Sequence, residues 1–207
     1  MIKKQISLLL LAILLQALFF IYPLSGNSGF LFNLFLFCPL PLYFLGILFG
    51  YRYVIFASIP AIIIIYTYGF NIAVSYSLFF ALPCVYLSYY IGLNKIAGSD
   101  AKEVIWYPLS LIFSKIIMLS LVLSLIGILF LGINIVDYNE TISSIYSDVY
   151  QIRPDLEQTI QLNNIALMSA SLPSILVAFW ILIFLANLWI ATKITRKIDS
   201  NVRSWDG

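Results

Sequence analysis

No histidine occurs anywhere in the 207 residues. Histidine is the commonest general base and a frequent metal and haem ligand, so serine–histidine hydrolysis and histidine-built metal sites are excluded by composition. Asp and Glu are missing from every long apolar stretch, which leaves intramembrane aspartyl proteolysis without the two carboxylates it needs. A serine–lysine pair would need Lys115 beside a hydroxyl such as Ser114 or Ser110, and its sequence neighbour Ser114 cannot face it on a helix. Cysteine is nearly absent too. Cys38 and Cys84 each adjoin a proline, show no CxxC spacing and read as small buried hydrophobes. Charged residues make up only 10% of the chain, against about a quarter in a soluble domain. The net charge of +2 is spread over short segments with no basic stripe, so no nucleic-acid surface is expected. These absences predict a protein that is not an enzyme and carries no cofactor.

What remains is apolar: 62% of the residues are hydrophobic and the mean hydropathy is +1.02. A helix crossing the hydrocarbon core needs about 20 apolar residues. Six stretches meet or approach that length, at residues 5–22, 30–50, 53–68, 72–92, 107–131 and 172–192. The expected fold class is therefore all-α, a polytopic transmembrane helix bundle of about six spans forming one domain over residues 1–207. Lys3 and Lys4 lead into only the first of several equally apolar segments, so that segment reads as a retained span and not a cleaved leader. Turn formers at 25–29 and 69–71 predict tight hairpins after the first and third spans.

The basic residues set the orientation. With the N-terminus inside, the inner side holds Lys3, Lys4, Arg52, Lys95, Lys102, Lys193, Arg196, Lys197 and Arg203, nine of the eleven Lys and Arg. Only Arg153 falls outside, and Lys115 lies within a span. Both termini are thus expected in the cytoplasm. The long segment 132–171 falls outside and is expected to be helical. Ile142, Ile145, Tyr146, Val149 and Tyr150 keep an amphipathic period after Asn139 as cap, and Pro154 suits the first turn of a second helix.

Proline supplies the candidate binding site. Pro39 and Pro41, Pro60, and Pro83 fall near the middle of three consecutive spans, and each removes a backbone donor and frees a carbonyl four residues earlier. Broken helices at the midplane build solute sites in many transporters. The candidate pocket is therefore Asn33, Pro39, Pro41, Pro60, Tyr66, Tyr76, Pro83 and Tyr86. The alternative is three ordinary kinks, packed solid.

Other features have plainer readings. Lys115 lies eight residues into its span among Leu111, Met118, Leu119 and Val122, where a lysine stem directs its charge back toward the interface. Gly46 with Gly50, Ala57 with Ala61, and Ser120 with Ser124 and Gly127 form small-residue faces for close helix packing. Tyr51, Tyr53, Trp106, Tyr107, Trp189 and Trp205 mark an interfacial aromatic belt.

Several of these residues also occur in a recognisable order. Cys38-Pro39-Leu40-Pro41-Leu42 followed by Gly46 and Gly50, then Trp106-Tyr107-Pro108, then Asn187-Leu188-Trp189 and a basic tail ending Arg203-Ser204-Trp205, resembles the bacterial YybS-like membrane proteins over nearly the whole chain. The resemblance implies a multi-pass protein of the bacterial inner membrane, with a looser likeness to the substrate-binding subunits of energy-coupling-factor vitamin transporters. Members of that family usually continue past the Trp205 region, so on this resemblance the chain is a short member or a fragment. They also carry a basic residue just after Trp-Tyr-Pro, where this chain has Ser110 and Leu111. Two functions are expected from these features: a non-catalytic membrane component that assembles with other membrane proteins in the lipid bilayer, or a subunit that binds or transports a small solute.

Overall fold

A computed structural model describes residues 2–24, 34–97, 103–130 and 162–198. Asn33 and most of the segment 132–171, including its expected amphipathic helix, lie outside the described residues. Helix dominates, as it must where lipid offers no partner for a backbone N–H or C=O. The helices are α1 (Ile2–Leu24), α2 (Leu40–Phe49), α3 (Tyr51–Tyr66), α4 (Phe70–Tyr76), α5 (Leu82–Ile91), α6 (Leu109–Phe130) and α7 (Leu162–Ile198). A π-helical turn, Ser77–Ala81, joins α4 to α5 in one span. Among the described residues, four helices are long and apolar enough to cross a membrane: Gln5–Pro23, Phe70–Ile91, Leu109–Leu129 and Pro173–Ile198. The second and third apolar stretches form the shorter helices Leu34–Phe49 and Tyr51–Tyr66. The fold is thus an all-α membrane helix bundle, with six helical segments among the described residues.

One element was not expected from the sequence. Strands β1 (Asn94–Ala97) and β2 (Glu103–Trp106) pair antiparallel between α5 and α6, with Asn94 opposite Trp106 and Ala97 opposite Glu103. Tyr107 N–H donates to Leu93 O at 3.0 Å and extends the ladder. Four-residue strands are too short to announce themselves by alternation.

The chain divides into two compact units, Met1–Leu119 with Leu182–Gly207, and Ser120–Ile181. In the first, α3 packs against α1, α2, α4 and α5. The inward stripe of α1 is Ala12, Ile13, Gln16, Ala17 and Phe20, while Leu10, Leu11, Leu14 and Leu18 face outward. Lipid is as apolar as leucine, so the outward face costs nothing in a bilayer and close packing is what holds the helices together. Gly46, Ala57 and Ala61 are spent on that packing, all buried. In the second unit, Ser120, Leu123 and Ser124 form a buried stripe on α6 and Trp180 is buried on α7.

Two glycines make the sharp reversals. Gly50 joins α2 to α3 alone, at φ 90° and ψ 168°, and Gly69 starts α4 at φ 142° and ψ 146°. A Cβ is strongly disfavoured in either conformation.

Candidate functional site

The three proline-bearing spans each solve the missing hydrogen bond differently. In the second, the helix breaks. Phe37 N–H donates to Leu34 O, Cys38 N–H to Phe35 O and Leu40 N–H to Phe37 O, at 3.0 to 3.2 Å. A new helix then starts with Pro39 as its cap and Pro41 in its first turn, where an absent N–H has no partner to lose. In the third, Pro60 stays inside α3. In the fourth, the π turn Ser77–Ala81 precedes Pro83, and Leu82 N–H reaches back five residues to Ser77 O. Such turns absorb an irregularity without ending a helix.

Cys38, Tyr43, Ala57, Tyr76, Phe80 and Cys84 fill the space at this level, each at most 1% exposed. Pro39, Pro41 and Pro83 are buried with them and Pro60 is half-buried. Of the three candidate tyrosines only Tyr76 joins the group. Tyr66 is 58% exposed, its ring edge-on to Phe70 at 6.5 Å, and Tyr86, 37% exposed, packs its ring on Tyr90 at 5.0 Å. The structure therefore collects Tyr76 and the prolines and leaves Tyr66 and Tyr86 apart.

The residue that organises this region is Gln16, which sequence reasoning passed over. It is wholly buried, eleven residues into the first span. Its Nε2 donates to Ala57 O at 3.0 Å, and its Oε1 accepts from the Tyr76 hydroxyl at 2.5 Å. Ala57 lies three residues before Pro60, in the turn that the pyrrolidine ring pushes aside. The Cys38 thiol donates to Gln16 O at 3.7 Å. One amide thus ties α1 to α3 and α4, and its backbone meets the break in the second span. The only signal in the sequence was an amide inside an apolar run.

Aromatic rings enclose Tyr76. Phe20 lies 5.5 Å from Phe35, 5.1 Å from Tyr76 and 5.6 Å from Phe80, and Phe35 meets Phe80 edge-on at 4.7 Å. These offset and edge-on contacts are the favoured aromatic geometries. The group is neutral throughout. An amide has two N–H donors and two carbonyl lone pairs, so Gln16 keeps one donor and one acceptor beyond the bonds described.

Asn187 secures the break from another helix. Its Nδ2 donates to Leu36 O at 2.7 Å and to Ile183 O at 2.8 Å, while its Oδ1 is buried without a partner among the described residues. At the end of α5, Lys115 holds its ammonium 5.2 Å from the Tyr90 ring centre, beside Tyr107. That is the direction in which a lysine stem on α6 reaches toward the helix N-terminus. Among the described residues, no group of three or more Cys, Asp or Glu side chains is placed to hold a metal ion.

Comparison with known families gives one match: the model of DUF2232, described as a predicted membrane protein, covers residues 8–206. No curated protein and no solved structure matches the chain.

Proposed function

As a member of the DUF2232 family of predicted membrane proteins, the chain is a membrane protein, and we propose that it is a non-catalytic component that assembles with other proteins. The observation that carries this reading is where the buried polar groups spend their hydrogen bonds. Gln16 bonds Ala57 O and Asn187 bonds Leu36 O, so both amides staple helix backbones together. Neither cluster contains a charge that would couple to ions or protons. The basic-residue bias supports cytoplasmic termini, and the YybS-like resemblance supports the bacterial inner membrane. Extraction in mild detergent followed by cross-linking and mass spectrometry tests the proposal. A stoichiometric membrane partner is expected. A chain that purifies alone, and that a small solute stabilises, overturns it.

A second reading, solute binding or transport, is favoured by one specific observation. The break at Phe37 to Pro39 and the π turn before Pro83 border the same ring cluster, through Phe35 and Phe80. Non-helical backbone at membrane depth occurs where it is buried in protein or lines a cavity. The likeness to energy-coupling-factor subunits points the same way. On this reading a solute raises the melting temperature of the wild type and has no effect on Gln16→Leu.

A further inference from the structure

A groove of about 250 Å³ runs along α1, bordered by residues of α2 and α7. Its lining is apolar throughout: Leu8, Leu11, Leu15 and Phe19 of α1, Pro41 and Phe44 among the α2 residues, and Ile194 of α7. Leu8, Leu11, Leu15 and Phe19 follow one another at helical spacing, so the groove extends along the α1 axis. From Leu8 to Phe19 that is roughly 16 Å at 1.5 Å per residue. One leaflet of a bilayer is about half of a 30 Å hydrocarbon core, or roughly 15 Å. The groove is one leaflet long.

The surrounding lipid and the wholly apolar lining decide the occupant. A polymethylene chain, one carbon wide, is the shape that fits. The end of the groove is basic. Lys197 stands one turn beyond Ile194 on α7 and is exposed. Nearby, Lys193 holds its ammonium 3.9 Å over the Trp189 ring, an amphipathic pair of the kind found at headgroup level.

We propose that this groove binds an anionic phospholipid, with one acyl chain along Leu8 to Phe19 and its headgroup phosphate at Lys197. Each basic residue at a membrane surface favours an anionic headgroup about fivefold. The apolar groove selects for a chain, and Lys197 selects for the headgroup.

The experiment uses the full chain in nanodiscs of equimolar phosphatidylglycerol and phosphatidylcholine with identical palmitoyl-oleoyl chains. Native mass spectrometry then reads the lipid that stays bound. The wild type retains phosphatidylglycerol in preference by about fivefold or more, Lys197→Gln lowers the preference about fivefold without removing bound lipid, and Leu15→Trp, which fills the groove, loses the lipid. Lys197 is exposed at a helix end, so its variant remains informative if Leu15→Trp does not fold. Equal retention of the two lipids by the wild type overturns the proposal. So does a wild type that holds no lipid because a protein partner covers the groove.

Discussion

Tyr76 donates to Gln16 Oε1 at 2.5 Å across sixty residues of sequence, and the same amide donates to Ala57 O at 3.0 Å. The first, third and fourth helical segments therefore share one polar joint, sealed by Phe20, Phe35 and Phe80. A polar side chain at this depth is tolerable only with partners, and here the partners are a hydroxyl and a carbonyl beside a proline.

Removing both sides of this joint should cost less than the two single removals added together. Gln16→Leu leaves the buried Tyr76 hydroxyl without its acceptor and is expected to cost about 1–3 kcal/mol. Tyr76→Phe should cost about 1 kcal/mol or less, in line with interhelical hydrogen bonds in membranes. In the double variant the loss should be smaller than the sum by about 1 kcal/mol, read from unfolding in mixed micelles. Strict additivity would show that the two side chains are not coupled.

Gly46 is a test of close approach between α2 and α5. A Cβ there would meet the Ser88 Oγ, and would lie 2.7 Å from the Ser88 Cβ and 3.1 Å from Val54 Cγ2. Gly46→Ala should destabilise by about 1–3 kcal/mol, because Ser88 Cβ cannot move without its backbone. Adding Ser88→Gly opens the space, so the pair should recover most of the loss on the same unfolding assay. A Gly46→Ala variant as stable as wild type would mean the helices do not cross there.

The architecture was legible in the sequence because the bilayer fixes both length and backbone pairing. The expected span 72–92 became Phe70–Ile91, and 107–131 became Leu109–Leu129. The last helix differs most, running Leu162–Ile198 where 172–192 was expected. Hydropathy marks where lipid begins, whereas a helix ends where its hydrogen bonds do, so polar turns were missed on both sides. The candidate site was legible only in part. Prolines declare broken backbone locally, but Gln16 finds its partners forty-one and sixty residues away. Tyr66 and Tyr86 share helices with the prolines and face elsewhere, and which face a residue takes is settled by packing in a span that is apolar all round.

Asn187 should govern the break in the second span. Its Nδ2 is the partner of Leu36 O, and Asn187→Leu leaves that carbonyl unpaired in a low-dielectric interior, at a cost of about 1–3 kcal/mol. The loosening is expected to be local. Hydrogen exchange at the Phe37, Cys38 and Leu40 amides should speed up, while amides in α6 keep their protection. Unchanged exchange at those three amides would separate Asn187 from the break.

Orientation offers the last test. Nine of the eleven basic residues fall on one side when the N-terminus is placed inside, an imbalance that translocation enforces through the cost of moving Lys and Arg across. The native thiols will not interfere, since Cys38 and Cys84 are both fully buried. A single Ser147→Cys should therefore react with an impermeant maleimide on intact cells. Ile198→Cys, on an exposed position of α7, should react only after the membrane is opened. The opposite pattern reverses the topology and moves the basic end of the lipid groove to the outer leaflet. Labelling of both sites in intact cells would require an odd number of crossings between them to be replaced by an even one, and would remove α7 from the set of spanning helices.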